Sequence, residues 1–243
     1  MHSASPTSSA LPASTLARLR DKAGHGDHAG DHAGDRAGRG DRGAQSTLAE
    51  VFSDTAADAA AVGFALAHLR PGRGPVLWLQ DRQSRRETGR PYLAGMGVMP
   101  DLLYLELNRP ADVLWAMEEG LRCPLLGGVV AEVWGNPVAL DFTATKRLAL
   151  RSEAHDVPAW LIRRAATPDL SAARERWRVA SLPSALMPDD MRAPGAPLWR
   201  VDLFRARWRS PGQWVARYDK GALVMEHGMQ TADQEPQPLQ AQG

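Results

Sequence analysis

Pro75-Val-Leu-Trp-Leu79 is a nearly all-apolar run, set between the breaker Pro71-Gly72-Arg73-Gly74 and a polar stretch from Gln80 to Arg90. A strand wetted on one face alternates apolar and polar residues, whereas a continuous apolar run fits a strand covered on both faces, as in a parallel sheet. The flanking sequence repeats this unit. Upstream, Leu48-Ala-Glu-Val-Phe52 reads as a short strand and the Ala-rich segment from about Asp54 to Leu69 as a helix. Downstream, the spacing predicts a polar loop over Gln80 to Arg90, a short helix near Tyr92-Leu-Ala-Gly-Met96 and a strand at Leu102-Leu-Tyr-Leu-Glu-Leu107. Pro110 then opens a helix through Arg122 with Val113, Leu114, Met117 and Leu121 on one face. Gly127 to Val133 is a fourth strand, Asp141 or Thr143 caps a helix through about Ala154, and Val157 to Ile162 is a fifth strand. Repeated β–α units with short connections predict a doubly wound, mostly parallel α/β sheet.

Past residue 163 the pattern changes. Trp177 to Ala180, Leu198 to Trp208, Gln213 to Asp219 and Ala222 to Glu226 read as strands with hairpin punctuation, clearest at Ser210-Pro-Gly212. The expected organisation is a low-complexity arm (1–46), an α/β core (47–163), a β-rich extension of the same domain (164–228) and a Gln/Pro-rich tail (229–243). Gly24 to Gly43 is a degenerate repeat of Gly, Asp, His/Arg and Ala. It holds no apolar residue larger than alanine, so it cannot offset its ordering entropy. The arm is expected to be disordered, although His25, His28 and His32 alternate with Asp27 and Asp31 in a pattern that could chelate a metal weakly.

Composition narrows the classes further. The 243 residues are 44% apolar and 23% charged, with 29 Lys+Arg against 28 Asp+Glu. That is enough to bury a core, and the near-zero balance argues against a general polyanion binder. No run reaches the ~18 apolar residues of a membrane helix, and Met1 to Thr15 lacks a basic-then-apolar leader pattern, so a soluble cytoplasmic protein is expected. One cysteine, Cys123, excludes an intramolecular disulfide framework and a cysteine zinc cluster.

The ordered region resembles the ImuA family, RecA/SulA-related proteins of bacterial damage-induced mutagenesis cassettes. The resemblance rests on Leu48 to Phe52, Pro75 to Leu79, Leu93-Ala-Gly-Met-Gly97 and Leu114-Trp-Ala-Met-Glu-Glu-Gly-Leu-Arg122. It continues in Thr145-Lys-Arg-Leu-Ala-Leu-Arg-Ser-Glu-Ala154, Arg176-Trp-Arg-Val-Ala-Ser-Leu-Pro-Ser184, Leu203-Phe-Arg-Ala-Arg207 and Trp214. It implies a RecA-like core and an accessory role in SOS-controlled, error-prone translesion DNA synthesis, a DNA-damage response. The implied partners are ImuB, an inactive Y-family polymerase relative, and an error-prone C-family polymerase. RecA and single-stranded DNA are further candidates. The alternative is a division inhibitor similar to SulA that binds FtsZ, resembled mainly through Leu77-Trp-Leu-Gln80; the long region 164–226 counts against it.

No catalytic constellation emerges. Ser53 to Ala61, where a RecA ATPase would carry its phosphate loop, has neither the glycines nor the lysine such a loop requires. Asp54 and Asp58 there would repel a nucleotide. The three lysines, Lys22, Lys146 and Lys220, all lie outside Gly-rich turns. Gln80, Asp81 and Glu132 stand near the catalytic-carboxylate and metal-holding positions, but a metal site without a phosphate site has little to hold. Cys123 reads as a small apolar residue and His68 as a satisfied boundary histidine. Glu153 and His155 lack a third member, and adjacent Glu118 and Glu119 point about 100° apart. The chain is therefore expected not to be an enzyme and to need no cofactor and no metal.

Binding is expected elsewhere. Residues 44–159 carry 11 basic and 14 acidic groups, but residues 160–220 carry 12 basic and only 6 acidic. Strand alternation would place Arg205, Arg207 and Arg209 on one side and Phe204, Ala206 and Trp208 on the other. Arg174, Arg176 and Arg178 repeat the spacing around Trp177. Arginine rows beside rings suit single-stranded nucleic acid or an acidic partner; the plainer alternative is an aromatic core face backed by solvated arginines. On the helix after Pro110, Trp115 and Glu119 share a face apart from the apolar stripe and form a candidate protein interface, unless Trp115 packs under the sheet edge.

Overall fold

A computed structural model describes residues 46–69, 72–92, 101–187, 190, 192–219 and 222–227. The arm over residues 1–45, the short helix expected near Leu93 to Met96 and the tail from residue 228 lie outside the described residues.

Nine strands form one sheet: β1 (Leu48–Ser53), β2 (Val76–Asp81), β3 (Leu102–Leu107), β4 (Gly128–Trp134), β5 (Ala159–Arg164), β6 (Glu175–Leu182), β7 (Leu198–Ala206), β8 (Gly212–Asp219) and β9 (Ala222–His227). Their order is β3-β2-β4-β5-β1-β6-β7-β8-β9. β1 to β6 run parallel, with β1 seated between β5 and β6, and β7 to β9 add an antiparallel meander. The helices are α1 (Ala60–Ala67), α2 (Arg82–Thr88), α3 (Pro110–Gly120) and α4 (Phe142–His155).

The two faces of the sheet carry separate cores. On one, Leu48, Leu79, Val129, Ala131, Val133 and Leu161 pack with Val113, Leu114 and Met117 of α3 and Ala144, Leu148 and Ala149 of α4. On the other, Ala49, Val51, Trp78, Val130, Trp160 and Ile162 pack with α1 and with Trp177, Val179, Trp199, Val201 and Leu203. This is why β2, β4 and β5 read as unbroken apolar runs: alternate residues enter different cores, and neither face meets water. Gly63 lets α1 approach β7, since a Cβ there would stand 2.7 Å from Cζ2 of Trp199.

Two expectations are corrected. The Ala-rich helix begins at Ala60 rather than Asp54, because the carbonyls of Ala56 and Asp58 are held by the Arg164 side chain and the Asp54 amide by the Val179 carbonyl. The polar stretch after β2 is not a loop but α2, whose first turn is capped by Asp81 accepting from the Ser84 amide at 2.6 Å. At α4, Asp141 rather than Thr143 is the cap, accepting from the Ala144 amide at 2.7 Å.

Candidate binding surfaces

Ligands of open α/β sheets bind outside the carboxyl ends of the strands, and phosphates meet main-chain N–H groups of the loop after a strand. The β1–α1 loop has the opposite polarity. Arg164, at the end of β5, donates Nη1 to the carbonyls of Ala56 (3.0 Å) and Asp58 (2.8 Å), so the loop turns acceptors towards a cation. Nε of the same guanidinium donates to Oε2 of buried Glu132 at 2.8 Å. Glu132 also accepts from Trp78 Nε1 at 3.0 Å and Gln80 Nε2 at 3.3 Å. Burial pushes its carboxyl pKa up, against the opposing pull of Arg164 and Trp78. The Asp58 carboxylate pins the loop from outside, accepting from the Ala60 amide (2.8 Å) and from the amide (2.8 Å) and hydroxyl (2.6 Å) of Ser181. Asp81 is likewise occupied, by the Ser84 and Trp134 amides. Gln80, Asp81 and Glu132, expected near the catalytic-carboxylate and metal-holding positions, are thus tied into the framework.

On the α3/α4 face, the basic residues of β6 separate. Arg176 is only 4% exposed, and its Nε donates to Oε2 of Glu50 at 2.7 Å. Arg163 of β5, fully buried, reaches Oε1 of the same carboxylate at 3.3 Å. Rings and guanidinium groups alternate from here: Phe52 lies 5.4 Å from Arg163 and 5.3 Å from Arg176, and Phe204 lies 5.4 Å from Arg176 and 4.2 Å from Arg178. Arg178 ends the column exposed, paired to Asp202 at 3.4 Å. Arg174, just before β6, is held by Glu153 through bonds of 2.6 and 3.2 Å, which keep that carboxyl pKa low.

The predicted arginine rows are therefore corrected. Arg176 belongs to a buried ion cluster and Arg174 to a half-buried pair. Arg205, Arg207 and Arg209 do not share a strand face, because β7 ends at Ala206. A register shift opposite Arg176 and Trp177 leaves Phe204 as an extra residue on β7; its ring lies on the arginine face, opposite to Val201 and Leu203, while Ala206 beyond the bulge packs against the α1-face core. Arg205, Arg207, Trp208 and Arg209 are exposed at the strand end. Arg207 lies 5.9 Å from the Trp208 ring, and Arg209 pairs with Glu175 at 2.7 Å over Trp177.

Trp115 is 65% exposed on the outward side of α3, with Glu119 beside it bridged to Arg122 at 3.1 Å. It does not pack under the sheet edge. Glu118 turns instead to α4, meeting Arg147 at 2.7 Å and Arg151 at 3.6 Å. His68 is lodged between Phe64 and Trp160, with Nδ1 2.8 Å from the Phe64 carbonyl, and burial lowers its pKa to about 4. Cys123 is partly buried against the α3/α4 core.

No family model matches the sequence. Protein ImuA of Caulobacter vibrioides, in strains NA1000 / CB15N and ATCC 19089 / CIP 103742 / CB 15, is 32% identical over 153 residues. Over that stretch the chain is similar to ImuA. The match covers 58% of this chain and 59% of each ImuA protein, so the chain spans less than two thirds of the length of the relatives it matches. The chain carries a large, mostly parallel sheet with helices on both faces. No helix among the described residues is long and apolar enough to cross a membrane.

Proposed function

We propose that this chain serves the ImuA/ImuB mutagenesis system as a non-catalytic, RecA-like adaptor of SOS-induced translesion synthesis, joining ImuB to the error-prone C-family polymerase in the cytoplasm. The observation that carries the non-catalytic part is the β1–α1 loop. Its carbonyls are bound to Arg164, and it holds neither glycine nor lysine, so ATP turnover has no phosphate cradle. The kinship with ImuA carries the assignment to this system. The surfaces offered to partners are Trp115 with Glu119 on α3, and the exposed group Arg178, Arg205, Arg207, Trp208 and Arg209 around the end of β7. The latter is the site for any single-stranded DNA contact, arginine meeting phosphate and indole meeting base.

The test is parallel capture of ImuB and FtsZ from the same organism by the full chain. Capture of ImuB without FtsZ is expected. Capture of FtsZ alone would move the protein to a SulA-like role in division. The triple change Arg205→Ala, Arg207→Ala and Arg209→Ala should leave folding intact and weaken partner or DNA binding; normal binding of both would remove the strand-end surface from the proposal.

A further inference from the structure

We propose that Arg163 and Arg176 form a binding site for a phosphate-class oxyanion, with the side chain of Asp169 as its displaceable resident counterion. The inference stands on the ion cluster alone and survives whether or not the adaptor reading does.

Two buried guanidinium groups share one buried carboxylate, that of Glu50. One positive charge remains, and leaving it unbalanced in the interior costs several kcal/mol. Asp169 is what answers it, and incompletely. Its Oδ1 stands 3.6 Å from Arg163 Nη1 and 4.0 Å from Arg176 Nη2, both beyond hydrogen-bond length. Its other oxygen is engaged by Asn136 Nδ2 at 2.9 Å, and the side chain is 41% exposed while the arginines it faces are 0% and 5% exposed. Arg163 Nε and Arg176 Nη2 are buried with no hydrogen-bond partner among the described residues, an expensive condition for charged donors.

The guanidinium groups do not depend on Asp169's carboxylate for position. Arg176 Nη1 donates to the main-chain oxygen of residue 169 at 2.8 Å, and Arg163 Nη2 to that of Gly135 at 3.3 Å. Glu50 bridges the pair, and the Phe52 ring lies against both. Swinging Asp169 outward therefore exposes a positioned pair of arginines carrying one net positive charge. Two forks approaching from two strands suit a tetrahedral anion with several acceptor oxygens better than a planar carboxylate already bonded elsewhere. The site also lies towards the carboxyl ends of β1 and β5, where ligands of such sheets collect.

The experiment titrates the full chain with inorganic phosphate at constant ionic strength, sodium chloride balancing, and compares it with Asp169→Asn. The exposed substitution removes the competing charge and keeps an acceptor for Asn136, so folding is retained. Phosphate is expected to bind the variant at least tenfold more tightly than the native chain and to shift the Arg163 and Arg176 Nε–H resonances in both. Equal, chloride-like responses of the two proteins with unmoved arginine resonances would overturn the proposal. A 5′-phosphorylated oligonucleotide and its 5′-hydroxyl counterpart identify the source. Preference for the phosphorylated strand assigns a nucleic-acid end; equal binding of the two strands alongside phosphate binding assigns the free ion. No discrimination together with no phosphate response refutes the site.

Discussion

Replacing Arg164 by leucine tests whether the carboxyl end of the sheet is held closed by charge. The change leaves buried Glu132 with Trp78 and Gln80 as its donors among the described residues, and frees the carbonyls of Ala56 and Asp58. Removing one partner of a buried ion pair costs about 3–5 kcal/mol. At roughly 2–4 °C per kcal/mol for a domain of this size, Arg164→Leu should melt on the order of 10 °C lower. The deficit should depend on pH in a defined direction. Glu132 already has a pKa raised above its ordinary 4.5 by burial, and Arg164 is the largest influence holding it down. Without Arg164 the folded carboxyl binds a proton more tightly than the unfolded one, so stability rises as pH falls through the folded pKa. The variant should be closest to the native chain near pH 5 and furthest from it near pH 8. Glu132→Gln/Arg164→Leu should recover part of the loss, with a coupling of roughly 1–3 kcal/mol. Urea melts at the two pH values supply the numbers. A deficit under about 1 kcal/mol, or one that does not shrink on acidification, would refute the lock.

The remaining predictions address other elements. His68, with its pKa lowered from 6.5 to about 4, binds its proton less tightly folded than unfolded. Stability should therefore fall as pH drops from 6.5 towards 4, by about 3 kcal/mol from the 2.5-unit difference at 1.36 kcal/mol per unit. His68→Phe should flatten that slope, and the imidazole resonances should titrate near 4. Asp58→Ala, which removes the bonds to Ala60 and Ser181, should cost about 1–2 kcal/mol by thermal denaturation. Gly63→Ala drives a Cβ into Trp199 and should cost about 1–3 kcal/mol, with a change in tryptophan emission. Trp115→Ala should leave the melting temperature almost unmoved while weakening ImuB capture by roughly 30-fold, the scale of an interface anchor worth about 2 kcal/mol.

The parallel half of the sheet was legible because its signal is local. Val76 to Leu79 and Val129 to Val133 are apolar at every position but one or two, and α3 and α4 show their stripes and their Pro110 and Asp141 starts. What escaped depends on distant partners. α2, Arg-Gln-Ser-Arg-Arg-Glu-Thr, has no apolar stripe, and only the Asp81 cap betrays it. Arg176 is an ordinary solvated arginine until Glu50, 126 positions away, is placed beside it. The trace of that pairing was Glu50 itself, an acidic residue inside the apolar run Leu48 to Phe52, which a buried strand tolerates only opposite a cation. The bulge after Leu203 left no sequence mark at all: it sets Arg205 opposite Arg176 and packs Ala206 against the α1-face core, where unbroken alternation would put Ala206 on the other face.

Arg163 and Arg164 explain why the two faces of one sheet end have different chemistry. Successive strand residues point to opposite faces, so adjacent arginines at the end of β5 enter different cores. On the α1 face Arg164 meets Glu132 and two carbonyls, a balanced arrangement that engages the loop after β1. On the α3/α4 face Arg163 shares its carboxylate with Arg176, and the balance is completed only by half-exposed Asp169 at long range. Charge neutralised at hydrogen-bond distance resists exchange, whereas charge neutralised across 3.6–4.0 Å yields to a ligand that brings closer oxygens. The proposed anion would therefore exchange at the loop carrying Asp169, whereas the loop after β1 is held by bonds at full hydrogen-bond length.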